Sequence, residues 1–370
     1  MRTVRRLLYR DIAASVMFVA LAFLALFYFI DFVEELDTVG SRGRGALYAV
    51  QAAAFELPGH FYELFPIAVL IGTIYTMARM AQSSEFTILR TGGLGPGRAL
   101  GLLAVLGLVF GALTFVIGDY VAPESEREFV ALKARAGGGH QLVGGGAWLK
   151  EKRDTPEGER SYSVSVGGAK ADGLLLWIRI FEFDTDGRLR SRTEAGEGRV
   201  ANDGTWTLGN AEVTEWPLAR STGSPQVLWR RLPTLTWRTT LTADVVAAAV
   251  LPLSTMTTAE LWRYSRHLAD QEQAAQRYEI RFWKKALYPL ACVVMVALAL
   301  PFAYLHARAG GVSLKVFGGI MLGISFVLLN NLAGHIGMLR DWTPWVVAAM
   351  PSLIYLLLSL AAFAWLVRYR

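Results

Sequence analysis

The chain has 370 residues, 53% of them hydrophobic and only 18% charged, and its 37 Lys and Arg against 31 Asp and Glu give a net charge of +6. An ordinary soluble domain carries about 25% charged residues, so the composition excludes a string of average soluble domains. The deficit lies in long uncharged runs at both ends, around a charged, Gly-rich middle, and no basic cluster interleaved with aromatics points to nucleic acid.

Arg2, Arg5, Arg6 and Arg10 form a basic leader before Ile12–Ile30, 19 residues without a charge. At about 1.5 Å per residue this run nearly crosses a hydrocarbon core about 30 Å thick. It is long and lacks a small-residue cleavage site, so it reads as a retained span and not a cleaved signal. A second span is expected at Leu57–Met80, with Glu63 near its outer end and Pro66 inside. Between it and the third span lies Met80–Gly93, read as a short amphipathic helix. Met80, Phe86 and Leu89 share one side, Gln82, Ser83, Glu85 and Arg90 are polar, and Gly92-Gly93 is the stop. Such a helix can pass movement from a soluble partner to the spans above it; a solvated turn between two hairpin arms is the alternative. Ala99–Gly118 is the third span, and Gly107 and Gly111 on it would admit another helix closely.

From Asp119 to Lys285 the chain is polar. Gly137-Gly138-Gly139 and Gly144-Gly145-Gly146 read as hinges. Short alternating segments follow at Ser161–Val166, Leu174–Phe183, Thr205–Leu208, Glu212–Trp216 and Thr234–Thr239, punctuated by Asp186-Gly187 and Asn202-Asp203-Gly204. This pattern predicts an all-β sandwich or jelly-roll. Trp148, Trp177, Trp206, Trp216, Trp229 and Trp237 are expected mostly in its core, or offered to a lipid chain by an open sandwich. Thr257 or Thr258 reads as an N-cap with Glu260 close behind, opening a polar helix over about Ala259–Gln273. Ala286–Leu305, Val316–Gly334 and Trp342–Val367 are the remaining spans. Asn330 and Asn331 would be costly against lipid and are expected to face a helix or cavity.

Lys and Arg in the short segments set the orientation. Arg2, Arg5, Arg6, Arg10, Arg79, Arg90, Arg98, Arg308, Lys315, Arg368 and Arg370 fall on one side, against Arg42, Arg44 and Arg340 on the other. Both termini and the Glu85 stretch are therefore expected in the cytoplasm, with the β-domain outside. The expected fold is membrane α-helical, six transmembrane helices in a three-plus-three arrangement with an inserted extracytoplasmic all-β jelly-roll. Its parts are residues 1–122 (coupling helix about 79–92), 123–275 and 276–370. No phosphate-binding loop, nucleophile elbow or metal-binding spacing is visible, and the single cysteine, Cys292, lies in an apolar run. The chain reads as mechanical and not enzymatic.

Three motifs in this order resemble a known family. They are Ala81-Gln82-Ser83-Ser84-Glu85, then Gly118-Asp119-Tyr120-Val121-Ala122-Pro123, then Arg277-Tyr278-Glu279-Ile280-Arg281-Phe282-Trp283-Lys284-Lys285. Together with the three-plus-three layout they are similar to the LptF/LptG permeases of the lipopolysaccharide-export ABC transporter, the G-type more than the F-type, over essentially the whole chain. The resemblance implies a half-transporter that pairs with the F-type permease LptF. It also implies a separate ATPase dimer, LptB, beneath; a single-span protein, LptC; and a periplasmic LptA bridge. This chain would bind no cofactor, ATP and Mg being used by the ATPase, and would sit in the bacterial inner membrane with its β-domain in the periplasm. Lipopolysaccharide would enter between the permeases from the outer leaflet and pass over the jelly-rolls. A membrane-anchored sensor with a ligand-binding β-domain is the competing reading.

Carried over by position, Glu85 matches the coupling-helix glutamate, and Arg79, Gln82, Ser83, Ser84, Phe86, Leu89 and Arg90 its ATPase-docking surroundings. First and fifth spans are the family's gates, which marks Asn330 and Asn331. Some relatives carry lysines at the end of span one, where this chain has Asp31, Asp37 and Thr38. Carboxylates repel a lipid phosphate unless a divalent cation bridges them. Arg42, Arg44, Lys133 and Arg135 are the substitute head-group candidates, with ordinary interfacial charges as the alternative.

Overall fold

A run of apolar side chains in lipid must satisfy its own backbone polar groups, and the helix is the local way to do so. The computed structural model describes residues 2–42, 45–136, 146–155, 158–170, 173–201, 203–216, 227–250, 252–270, 275–304 and 311–368. Among these, six helices are long and apolar enough to cross a membrane. The first half contains α1 (Arg2–Arg42), α2 (Ala46–Gln82), the short α3 (Glu85–Thr91), α4 (Pro96–Val116) and α5 (Ala122–Ala136). The second half contains α8 (Gln276–Tyr304), α9 (Val312–Leu339) and α10 (Pro344–Arg368). The expected hinges at Gly137–Gly139 and Gly144-Gly145 lie outside the described residues, as do Arg44, Arg308 and Arg370.

α4 and α5 are one helix interrupted by a π-helical turn, Ile117–Val121. Pro123 explains the turn: it has no N–H to donate and its ring crowds the carbonyl four residues back, so the ladder widens there. The third span therefore runs on past the expected end at Gly118. The motif around Gly118 meets the motif before span four at this point. Asp119 Oδ1 lies 3.6 Å from Lys285 Nζ, both nearly buried. Next to it, Lys284 Nζ donates to the Asn330 carbonyl of α9 over 2.7 Å.

Two compact units form, residues Met1–Glu126 with Glu279–Arg370, and Arg127–Tyr278. The helical unit is organised on α2, the most enclosed of the spans. Without a hydrophobic drive between helices in lipid, close packing has to hold them, and small residues permit it. A Cβ at Gly72 of α2 would stand 2.6 Å from the Val16 backbone of α1. At Gly107 and Gly111 of α4 it would stand 2.8 Å from Val293 Cα and 2.7 Å from the Pro289 carbonyl oxygen of α8. Gly319 and Gly323 of α9 seat Ile74 and Ile67 of α2 in the same way. Phe65, Leu70, Ile74 and Met77 are all buried at the centre, with Phe110 edge-on to Phe65 at 5.7 Å.

The inserted all-β domain is present. Its described strands pair consecutively into one open antiparallel sheet: β1 (Ala147–Thr155), β2 (Gly158–Ala169), β3 (Leu175–Phe183), β4 (Leu189–Val200), β5 (Thr205–Glu215) and β6 (Leu228–Arg238). Alternation puts Leu149, Val164, Ile180 and Leu208 on one buried face. The two segments expected at 205–208 and 212–216 are a single strand, because Asn210 takes φ 50° and bends the chain without leaving the sheet. Trp177, at φ 51°, does the same in β3. β1 and the Arg- and Gly-rich β4 were not foreseen as strands. Their place in the ladder overrides weak local propensity. Of the six tryptophans expected largely as core, only Trp206 is fully buried, its Nε1 donating to the Leu241 carbonyl over 2.9 Å. Trp148 and Trp177 are exposed because each faces away from the buried side of its strand, and Trp229 lies at the start of β6, where residues 228–231 are exposed on both faces.

After α6 (Ala243–Val250), the expected N-cap is a complete capping box on α7 (Thr258–Asp270). The Glu260 amide donates to Thr257 Oγ1 over 3.2 Å, and the Thr257 amide to Glu260 Oε2 over 2.7 Å. A single nitrogen of Arg127 on α5, Nη2, donates to both oxygens of the same carboxylate, at 2.8 and 2.9 Å. Burial alone would raise the Glu260 carboxyl. The Thr257 amide and the Arg127 charge outweigh it and hold the pKa below the ordinary glutamate value.

Gly72→Leu should destabilise the helical unit by about 1–3 kcal/mol or more, as overpacking does. Gly101→Ala, with nothing within 4 Å of its Cβ, should leave the melting temperature in detergent unchanged or slightly higher. For Glu260 the depressed pKa contributes stability above the unfolded value and loses it as pH falls through the folded one. Glu260→Gln should therefore lower the melting temperature at pH 7. Its deficit against the native protein should shrink below about pH 4.

Candidate functional site

α2 ends at Gln82, where Ser83 Oγ donates back to the Arg79 carbonyl over 3.1 Å. Ser84 turns the chain in the left-handed region, at φ 62°. The separate helix is thus Glu85–Thr91, shorter than the expected stretch, and Arg79 and Gln82 belong to the last turn of α2. Arg79 is engaged there by Asp11 Oδ2 at 2.7 Å, which ties α2 to α1. Glu85 stands in the first turn of α3, where a carboxylate suits the helix dipole.

The other end of α3 is closed by the expected glycine pair. The Leu94 amide donates to the Leu89 carbonyl over 3.0 Å and the Gly93 amide to the Arg90 carbonyl over 3.2 Å, with Gly93 at φ 96°. This is a Schellman stop, and its companion apolar contact is present: Leu94 is buried and Leu89 packs on the same core. Phe86 is the inner anchor, 3% exposed. Its ring meets Tyr304 at the end of α8 edge-on, centroids 5.2 Å apart. Tyr304 is also edge-on to Phe363 of α10 at 6.1 Å, and the Arg90 guanidinium stands 5.7 Å from its ring centre. One aromatic ring thus joins α3 to two spans. The outward side presents Glu85, Thr87 and Ile88, the last 67% exposed. Sequence reasoning missed Tyr304, which carries no local signal, and Ile88, whose exposure beside a charged residue is the signal available.

Of the head-group candidates, Lys133 and Asp31 have described side chains. Lys133 is exposed with its ammonium over the Phe129 ring at 4.1 Å. The side chains of Asp37, Thr38, Arg42 and Arg135 lie outside the described ones. Asp31 is 9% exposed and hydrogen-bonded to His60 Nε2 at 2.9 Å. Glu56 Oε2 lies 4.0 Å from the same nitrogen. Spacing along the chain hides this group because α1 and α2 each supply part of it. The Glu56/His60 interval of four, one helical turn, is the only trace. Of the two gate candidates, Asn330 is half-buried and Asn331 exposed, with its carbonyl 2.9 Å from His335 Nδ1.

Six spans, an inserted β-sheet and a small helix clamped by aromatic contacts across the ends of the spans define a polytopic membrane subunit of the permease type. The family described as lipopolysaccharide export system permease LptF/LptG matches residues 6–367, and the chain belongs to that family. It is 26% identical over 352 residues, 95% of each chain, to the lipopolysaccharide export system permease protein LptG of Escherichia coli K12. It is 24% identical over 359 residues, 96% of each, to the LptG of Haemophilus influenzae.

The Phe86–Tyr304 contact should be measurable directly. Phe86→Ala and Tyr304→Ala each destabilise the protein, and a double-mutant cycle read by thermal unfolding should return a coupling of about 1 kcal/mol. Additive losses would mean the two rings act independently.

Proposed function

We propose that this chain is the permease subunit of a lipopolysaccharide-export transporter, moved by an ATPase that grips α3. The family match over nearly the whole chain carries the reading. The protein is a multi-pass inner-membrane subunit. By the Lys and Arg distribution, both termini and α3 lie in the cytoplasm and the β-domain in the periplasm. The subunit performs no covalent step itself. An LptB-type ATPase dimer uses ATP and Mg, LptF is the second permease, and LptC and an LptA bridge complete the path.

The geometry suggests how force travels. A partner groove that takes Ile88 and pairs Glu85 pushes on the outward side of α3. Because Phe86, Leu89 and Leu94 are seated in the core, α3 moves with the ends of α2 and α8 and does not slide over them. Tyr304 passes the displacement to α10 through Phe363. Lipopolysaccharide then leaves the outer leaflet between the two permeases and follows the periplasmic sheets.

Glu85→Lys and Ile88→Glu should each cut co-purification of the ATPase and ATP-driven lipid release at least tenfold, with membrane insertion intact. Reconstituted complexes in vesicles supply both readouts. Undiminished release by the charge-reversed permease would refute the assignment of α3 as the docking element.

A further inference from the structure

We propose that Asp31, Glu56 and His60 form a divalent-cation site that clips the C-terminal half of α1 to α2. Their ligand atoms all lie within 4.8 Å of one another. Metal bonds of about 2.0–2.2 Å place neighbouring donors about 3–4 Å apart, so small side-chain rotations bring the three onto one ion. Asp31 comes from α1, and Glu56 and His60 from successive turns of α2. Any shared ion therefore bridges the two helices.

Two features favour an ion over a simple Asp–His pair. First, His60 Nε2 faces both carboxylates, Asp31 Oδ2 at 2.9 Å and Glu56 Oε2 at 4.0 Å. One nitrogen carries one proton and can donate it to one of them, whereas a cation at the centre takes all three. Asp31 is nearly buried, and Glu56 and His60 are about a quarter exposed. Second, the far half of α1 is seated less deeply than the first, with Phe27 against the His60 ring at 4.8 Å between centroids. Leu8, Ile12, Val16 and Ala20 seat its first half in the core, but among the described side chains beyond Ala20 only Asp31 and Glu35 are buried. Phe29, Ile30 and Val33 point outward. Among the described side chains of that half the buried ones are acids, and a cation shared by Asp31 with Glu56 and His60 cross-links it to α2.

An imidazole with two carboxylates is the donor set of zinc or manganese, and it is less suited to calcium or magnesium, which take oxygen. Three protein ligands leave at least one coordination position open for water or an anionic oxygen. Without the ion, Asp31 still meets His60 through their hydrogen bond, but Glu56 is not drawn into the same link.

The full-length protein in lipid nanodiscs, stripped with chelator and titrated with zinc or cobalt, tests this without ATP or any partner. A failure therefore leaves the permease reading standing. The expected result is one equivalent bound, a visible cobalt spectrum showing a nitrogen ligand, and a higher melting temperature on loading. His60→Gln and Asp31→Asn should weaken binding at least thirtyfold and abolish the thermal gain, while Glu56→Asp retains most of both. Melting of the metal-free variants at the native temperature shows that they fold. Absence of a bound equivalent in the native protein, or equal binding by folded His60→Gln and Asp31→Asn, overturns the proposal.

Discussion

Close approach of backbone to backbone is the constraint on which the helical unit depends. In lipid an apolar side chain gains little by leaving its solvent, so spans hold together by dispersion and shape. The glycines at 72, 107, 111, 319 and 323 let α1, α9 and the α4–α8 pair come within contact of neighbouring atoms. With α2 enclosed in this way, its end is a fixed platform, and α3 can be mounted on it.

The mounting of α3 follows from its size. Seven residues do not make a stable helix alone, so its conformation is imposed by both ends and by one face. Ser84 turns the chain sharply out of α2, Gly93 ends α3 in a Schellman stop, and Phe86 anchors it against Tyr304. The result is a rigid handle: polar and apolar groups on the outside, aromatic contacts to two spans on the inside. A flexible loop with the same residues would not hold these groups in fixed relation to the spans.

The polar interactions inside the helical unit sit where the spans need fixing and packing does not supply it. Asp119 with Lys285, and Lys284 with the Asn330 carbonyl, join three helices around the π-helical turn. Burying such groups costs desolvation, repaid when each charge is met by an opposite charge or a hydrogen bond. The Asp31, Glu56 and His60 group belongs to the same class, with two carboxylates facing one imidazole nitrogen.

Span number, the inserted β-domain, the family and the Gly-Gly stop were legible from residues alone, because hydropathy, alternation and turn chemistry act over short distances along the chain. So was an N-cap at Thr257 or Thr258, which the structure places at Thr257, a contact between residues three apart. The strands β1 and β4 were not, since neighbours in the ladder, not local propensity, place them. The same holds for the role of Tyr304 and for the meeting of Asp31 with His60. These depend on helices distant in sequence arriving side by side, and which faces meet is decided by packing summed over the whole bundle.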